Sequence, residues 1–217
     1  MSGNVRIKIC GIRTLDDALA AVDAGADLIG VNFVPASPRQ VDIRAAEEIC
    51  ECLSDAPVER VALFCDATWD DIEHVLRRVE FERVQLHGDE TEEDVEQIDL
   101  PVIKAIRGAD MEAVEAYPGA ILLLDHPSQG GGRGQSWDWS EASELISLGH
   151  DVILAGGLNP ENVGKALEGV GDLLPWGVDV ATGVEGPDFT KDSARMKAFV
   201  EAVRRAEDEA VRQVEDE

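Results

Sequence analysis

The sequence predicts an α/β chain closed into one (β/α)8 barrel of the TIM type, spanning all 217 residues as a single domain. Three observations carry that expectation. Short runs rich in Val, Ile and Leu alternate with amphipathic stretches of roughly ten residues, the rhythm of βα units feeding a parallel sheet. Eight such units can be counted along the chain. They recur about every 25 residues, roughly 200 in all, which is close to the small end of this architecture. An open, doubly wound sheet is the competing arrangement.

The predicted strands are residues 5–10, 27–33, 58–65, 83–87, 102–107, 120–125, 151–155 and 177–180. Helices are expected to begin near Thr14, Asp42, Thr68, Thr91, Asp110, Asp138, Asn159 and Lys191. Most of these positions carry a side chain able to accept hydrogen bonds from the free N–H groups of a first helical turn. The chain ends in an acidic helix or tail from about residue 205. The longest irregular stretch is 126–136, where the glycine-rich residues 129–134 are read as a lid or a flexible connection after strand six.

Charge narrows the function. Forty-five acidic against 19 basic residues leave a formal net charge of -26, with acids spread along the whole length. Such a surface repels nucleic acid and anionic membranes, so neither is expected as a partner. It also repels itself until salt screens it, which suggests a halophilic host. There is no secretory leader pattern and no uninterrupted apolar run of about 18 residues, so a soluble cytoplasmic protein is expected. The four cysteines, Cys10, Cys50, Cys52 and Cys65, lack paired CxxC spacing and are read as reduced thiols. Monomer and homodimer are equally compatible with the sequence.

Barrel chemistry assembles where strands end, so polar residues there and on the inward face are the candidates. Alternation along strand one turns Arg6, Lys8 and Cys10 to one face and Val5, Ile7 and Ile9 to the other; with helices outside, Lys8 and Cys10 point inward. Strand six is apolar until it stops at Asp125, and strand eight carries Asp179 near its end. A thiol and a carboxyl across a barrel mouth can divide proton transfer, with the thiolate as base and the carboxyl as acid. Lys8 is expected to favour the thiolate, and apolar surroundings to keep Asp125 protonated. Taken alone, Cys10 also reads as a small buried hydrophobe, and Asp125 as a helix cap or an acceptor for a loop amide.

Two glycine-bearing turns follow strands seven and eight, containing Gly156 and Gly157 in the first and Thr182 and Gly183 in the second. Backbone amides there can hold a phosphate. Arg39, in the loop after strand two, can grip a carboxylate or serve as a surface cation. Gln85 and His87 share a face of strand four and are read as structural polar groups. His74, His126 and His150 are scattered, so no metal site is expected. No P-loop and no GxGxxG turn is present, and no cofactor is expected.

The segments 8–12 (KICGI), 16–18 (DDA), 25–27 (GAD), 37–39 (SPR), 84–88 (VQLHG), 123–125 (LLD), 137–139 (WDW), 155–163 (AGGLNPENV), 178–180 (VDV) and 183–185 (GVE) occur in that order. Together they resemble the phosphoribosylanthranilate isomerase family over nearly the whole chain. The resemblance implies a phosphate-binding barrel that performs an Amadori rearrangement of N-(5-phosphoribosyl)anthranilate in tryptophan biosynthesis. It implies Cys10 as general base and Asp125 as general acid, Arg39 and Asp179 at the anthranilate end, and the Gly156, Gly157, Thr182 and Gly183 amides at the phosphate.

Three positions depart from the family's pattern. Ala181 stands where a serine is common after strand eight, His126 follows Asp125 where a small hydroxyl residue is usual, and the strand-six loop is unusually rich in glycine with Arg133 inside it. The rival readings are an isomerase of histidine biosynthesis acting on a larger substrate (ProFAR isomerase-like), and a non-catalytic barrel that binds a phosphorylated ligand.

Overall fold

The computed structural model describes residues 4–35, 37–127, 137–171 and 173–215. Eight parallel strands close into a barrel in chain order: β1 (Arg6–Ile12), β2 (Leu28–Asn32), β3 (Glu59–Phe64), β4 (Arg83–Leu86), β5 (Val102–Arg107), β6 (Ile121–Asp125), β7 (Val152–Leu154) and β8 (Gly177–Val180). Closure by β1 against β8 rules out the open sheet. The outer layer is α1 (Leu15–Ala24), α2 (Ile43–Cys52), α3 (Trp69–Leu76), α4 (Glu92–Glu96), α5 (Met111–Glu115), α6 (Ser143–Ser147), α7 (Val163–Gly169) and α8 (Ser193–Glu215).

Five of the expected caps act as predicted on α-helices: Thr14, Asp42, Thr68, Thr91 and Asp110 each accept from a backbone N–H of the first turn. Each such cap contributes about 1 kcal/mol. Three starts move. Asp138 caps a 3-10 turn, Trp139–Ala142, that leads into α6. Asn159 does not begin α7: its side chain accepts from Glu161 N at 2.9 Å, a local turn that holds the chain until Val163. The last helix starts at Ser193 rather than Lys191, because Lys191 is drawn into the barrel mouth. At strand ends, β1 continues to Ile12 through a bulge after Cys10, and β4 stops at Leu86. The expected lid, 129–134, lies outside the described residues.

Two apolar layers follow from period-two alternation. Ile7 and Ile9 face out and pack with helix residues such as Ala18, Ala21, Phe199 and Val203, whereas Leu28, Val61, Ile103, Leu123 and Ile153 fill the barrel. Its floor is closed by charge rather than hydrocarbon. Arg6 donates to Glu59 at 2.7 Å, Arg83 pairs with the same carboxylate, and both guanidinium groups lie over the Trp176 ring. One 23-residue helix, α8, passes residue 205 without a break. Glu207 accepts from Val5 N, while Arg204 donates to Val5 O at 2.8 Å and to Asp27 at 3.1 Å. The end of the chain thereby ties down its beginning.

Candidate active site

At the C-terminal rim, a cavity of about 230 Å³ is lined by Cys10, Arg39, Asp125, Gly156, Gly157, Asp179, Thr182 and Gly183, together with Asn32, Gln85 and His87 among others. All eight site residues expected from sequence thus open into one space. Strand register explains how. Lys8 lies beside Asp179 across the β1–β8 seam, and Cys10 beside Gly30 across the β1–β2 seam. A Cβ on Gly30 would sit 2.8 Å from Cys10 Sγ, so a residue with no side chain leaves the thiol its place.

Lys8 is fully buried and its Nζ donates to Asp179 Oδ1 at 2.7 Å. Lys8 still pulls the Cys10 thiol down, as expected, but it does not decide the balance. Burial pushes the Cys10 thiol up, and the nearby Lys8 charge, shared with Asp179, offsets only part of that rise. Asp125 departs from expectation in the other direction. Burial pushes its pKa up, but His87 Nε2 at 3.1 Å from Oδ2 and the His126 amide at 2.8 Å from Oδ1 outweigh burial and hold the carboxyl below its ordinary range. Burial thus favours the neutral thiol at Cys10, and the His87 and His126 contacts favour the carboxylate at Asp125.

Arg39 is buried and does not face an empty mouth. Its Nε and Nη2 donate to the two oxygens of Glu185 at 2.7 and 2.6 Å, and Nη2 also reaches Thr182 Oγ1 at 3.0 Å. Lys191, its side chain wholly buried, donates to Glu185 at 2.6 Å and to Ala181 O at 3.1 Å. Two cations thus converge on one carboxylate, whose hydrogen bonds to Arg39 and Lys191 hold it below its usual range against burial. Sequence reading named Arg39 but neither Glu185 nor Lys191 as parts of the site, because their meeting depends on the return of the chain after β8.

The glycine turns are held from behind. Trp137 and Trp139 both donate their indole N–H to Ala155 O, at 3.0 and 2.9 Å, and Asn162 donates to Gly157 O at 3.0 Å. Gly183 packs against the first turn so closely that a Cβ there would lie 2.0 Å from Leu158 O. The two turns form one surface, and any side chain at 183 would separate them. On the opposite rim, Lys104 and Glu90 form a buried pair at 2.9 Å that also went unread in the sequence; Lys104 donates to Gly88 O at 2.6 Å and fixes the turn after β4. Among the described residues, no group of three His, Cys, Asp or Glu is placed to hold a metal ion.

Known proteins match this arrangement. A sequence model of the family N-(5'phosphoribosyl)anthranilate (PRA) isomerase matches residues 7–202. The N-(5'-phosphoribosyl)anthranilate isomerase of Pseudomonas aeruginosa is 47% identical over 207 residues, covering 92% of this chain and 95% of its own. The crystal structure of phosphoribosyl anthranilate isomerase from Thermotoga maritima superposes with a TM-score of 0.85 at 37% identity, over 93% of this chain and 99% of that one. A phosphoribosyl anthranilate isomerase solved in complex with reduced 1-(o-carboxyphenylamino)-1-deoxyribulose 5-phosphate gives a TM-score of 0.82 at 36% identity, with the same coverage.

Proposed function

The chain belongs to the N-(5'-phosphoribosyl)anthranilate isomerase family, and from that premise we propose how its cavity works. The reaction is the Amadori rearrangement of N-(5-phosphoribosyl)anthranilate to 1-(2-carboxyphenylamino)-1-deoxyribulose 5-phosphate, a step of tryptophan biosynthesis. Asp125 is the general acid that protonates the furanose oxygen as the ring opens to a Schiff base. Cys10 is the base that removes the C2 proton, and the resulting enolamine tautomerises to the ketone. The observation that carries this assignment is the opening of Cys10, from β1, and Asp125, from β6, into one cavity that the glycine turns also line.

The surrounding residues divide the substrate by charge. Arg39, oriented by Glu185, takes the anthranilate carboxylate, with Asp179 at the same end. The amides of Gly156, Gly157, Thr182 and Gly183 take the phosphate. For the reaction to begin, Asp125 must gain a proton and Cys10 must lose one; the negative charge of bound substrate favours a neutral acid beside it. The Cys10 base and the backbone amides need no cofactor. The protein is read as a single-domain cytoplasmic enzyme of a halophilic host, on the strength of its net charge of -26.

The test is a fluorescence assay of substrate consumption in concentrated KCl, comparing wild type with Cys10→Ala and Asp125→Asn. Both variants should stay folded and lose at least ~100-fold in rate, the low end of what a positioned proton-transfer group supplies. A variant that keeps wild-type turnover would remove its residue from the mechanism.

A further inference from the structure

Two cavities meet at Asp125. Besides the substrate cavity, a second of about 580 Å³ is lined by His87, Asp125, His126, Asp89, Lys104, Arg107 and Asp110 among others. His87 and Asp125 border both, so the pair has one side toward substrate and another toward a separate opening. Behind the ring lies Gln85, 1% exposed, its Nε2 3.0 Å from His87 Nδ1. Its Oε1 is buried and, among the described residues, has no hydrogen-bond partner. Buried acceptors are seldom left in that state.

That unpartnered oxygen gives the amide two readable positions. With Nε2 toward the ring, the amide donates to Nδ1, so the ring proton sits on Nε2 and is donated to the Asp125 carboxylate. Turned end for end, the amide fills the same volume and presents Oε1, which requires a proton on Nδ1. The Nε2–Oδ2 contact then holds one further proton, on the ring facing a carboxylate or on Asp125 facing a neutral ring.

We propose that Gln85 and His87 are positioning residues that reload Asp125: His87 takes a proton from water in the second cavity and passes it across the Nε2–Oδ2 contact, while the Gln85 amide turns to match the ring. The proton given by Asp125 to the substrate's ring oxygen is replaced in this way, and the one that Cys10 takes from C2 leaves to solvent, so none is consumed over a turnover. The titratable groups that line the second cavity with His87 include the Cys65 thiol after β3, Asp89 after β4, Lys104 and Arg107 on β5, Asp110 before α5, and Asp125 with His126 at the end of β6. Lys104 is matched by Glu90, and Arg107 lies 3.8 Å from Asp89, so each cation of this lining has a carboxylate beside it.

This inference rests on Asp125 as the general acid, and the experiment separates the two. The kcat–pH profile is measured for wild type, His87→Ala and Gln85→Leu, with and without added imidazole. His87→Ala should lower kcat at least ~10-fold with KM within about 3-fold, since the loss falls on proton transfer and not on binding. Its alkaline limb should move to higher pH, because the His87 contact that holds the Asp125 carboxyl below its ordinary range is gone. Imidazole, entering through the second cavity, should restore rate in a saturable manner.

Gln85→Leu, which keeps the ring, should move the same limb by a smaller amount, and it decides the matter if His87→Ala does not fold. A reduced kcat with an unmoved limb and no response to imidazole overturns the relay and leaves His87 a packing neighbour. If Asp125→Asn is fully active, the acid assignment itself fails; if Asp125→Asn is inert while His87→Ala behaves as wild type, only the relay does.

Discussion

On the β8–β1–β2 side of the mouth every buried charge named above is held by a partner of opposite sign: Lys8 by Asp179, and both Arg39 and Lys191 by Glu185. On the β4–β6 side, Asp125 and His87 are joined by a single contact, and the amide behind them has a buried oxygen with nothing to accept from among the described residues. The first arrangement has one low-energy state, because removing any member leaves a buried charge alone. In the second, the unpartnered amide oxygen leaves more than one arrangement of donors and acceptors open. Under the proposed mechanism this is a division of labour within one barrel: the side assigned to the substrate's carboxylate and phosphate is rigid in charge, and the side assigned to proton exchange is not.

That contrast is most sharply broken at Glu185. Glu185→Gln leaves two buried cations without their counter-charge, and unfolding in denaturant should show a loss of about 3 to 5 kcal/mol. A loss below about 1 kcal/mol would show that the charges at 39 and 191 are not held as described, and the two halves would no longer differ in kind.

Arg39→Lys is a milder probe of the same side. A lysine cannot reproduce a forked contact with Glu185 and substrate at once, so KM should rise about 10-fold with kcat nearly unchanged. A fall in kcat at constant KM would move Arg39 to the proton-transfer side of the comparison.

The smallest effect concerns neither half but the field in which both sit. Raising KCl from about 0.1 M to about 1 M shortens the screening length from roughly 10 Å to 3 Å. Repulsion among surface acids should weaken and the melting temperature should climb, while the buried pairs are little changed. A melting temperature independent of salt would sink the halophile reading.

Much of this was open to a reader of the sequence, for reasons that individual residues show. Thr14, Asp42 and Thr68 announce their helices because capping is local chemistry, settled within three residues. Cys10 and Asp125 stand out because polar atoms at the ends of apolar strands have few places to go but the mouth of a barrel.

What could not be read came from contacts across seams. Lys8 was expected to favour the Cys10 thiolate, and it does pull the thiol down, but burial outweighs it and register also pairs Lys8 with Asp179, 171 residues distant. Glu185 and Lys191 look like ordinary surface charges until the turn after β8 folds them inward against Arg39. His87, read as a structural group, touches Asp125 only because β4 and β6 end at the same height.

The tie between the two ends of the chain sets a timetable for synthesis. Val5 and Glu207 are 202 residues apart. At typical elongation rates of about 5 to 20 residues per second, the last helix follows the first strand by roughly 10 to 40 s. During that interval β1 lacks both its β8 neighbour and the clamp beneath it, and it offers an unpaired edge to whatever strand is near. The barrel can close only once β8 and this helix have been made, so β1, the earliest of its strands, is among the last to be secured.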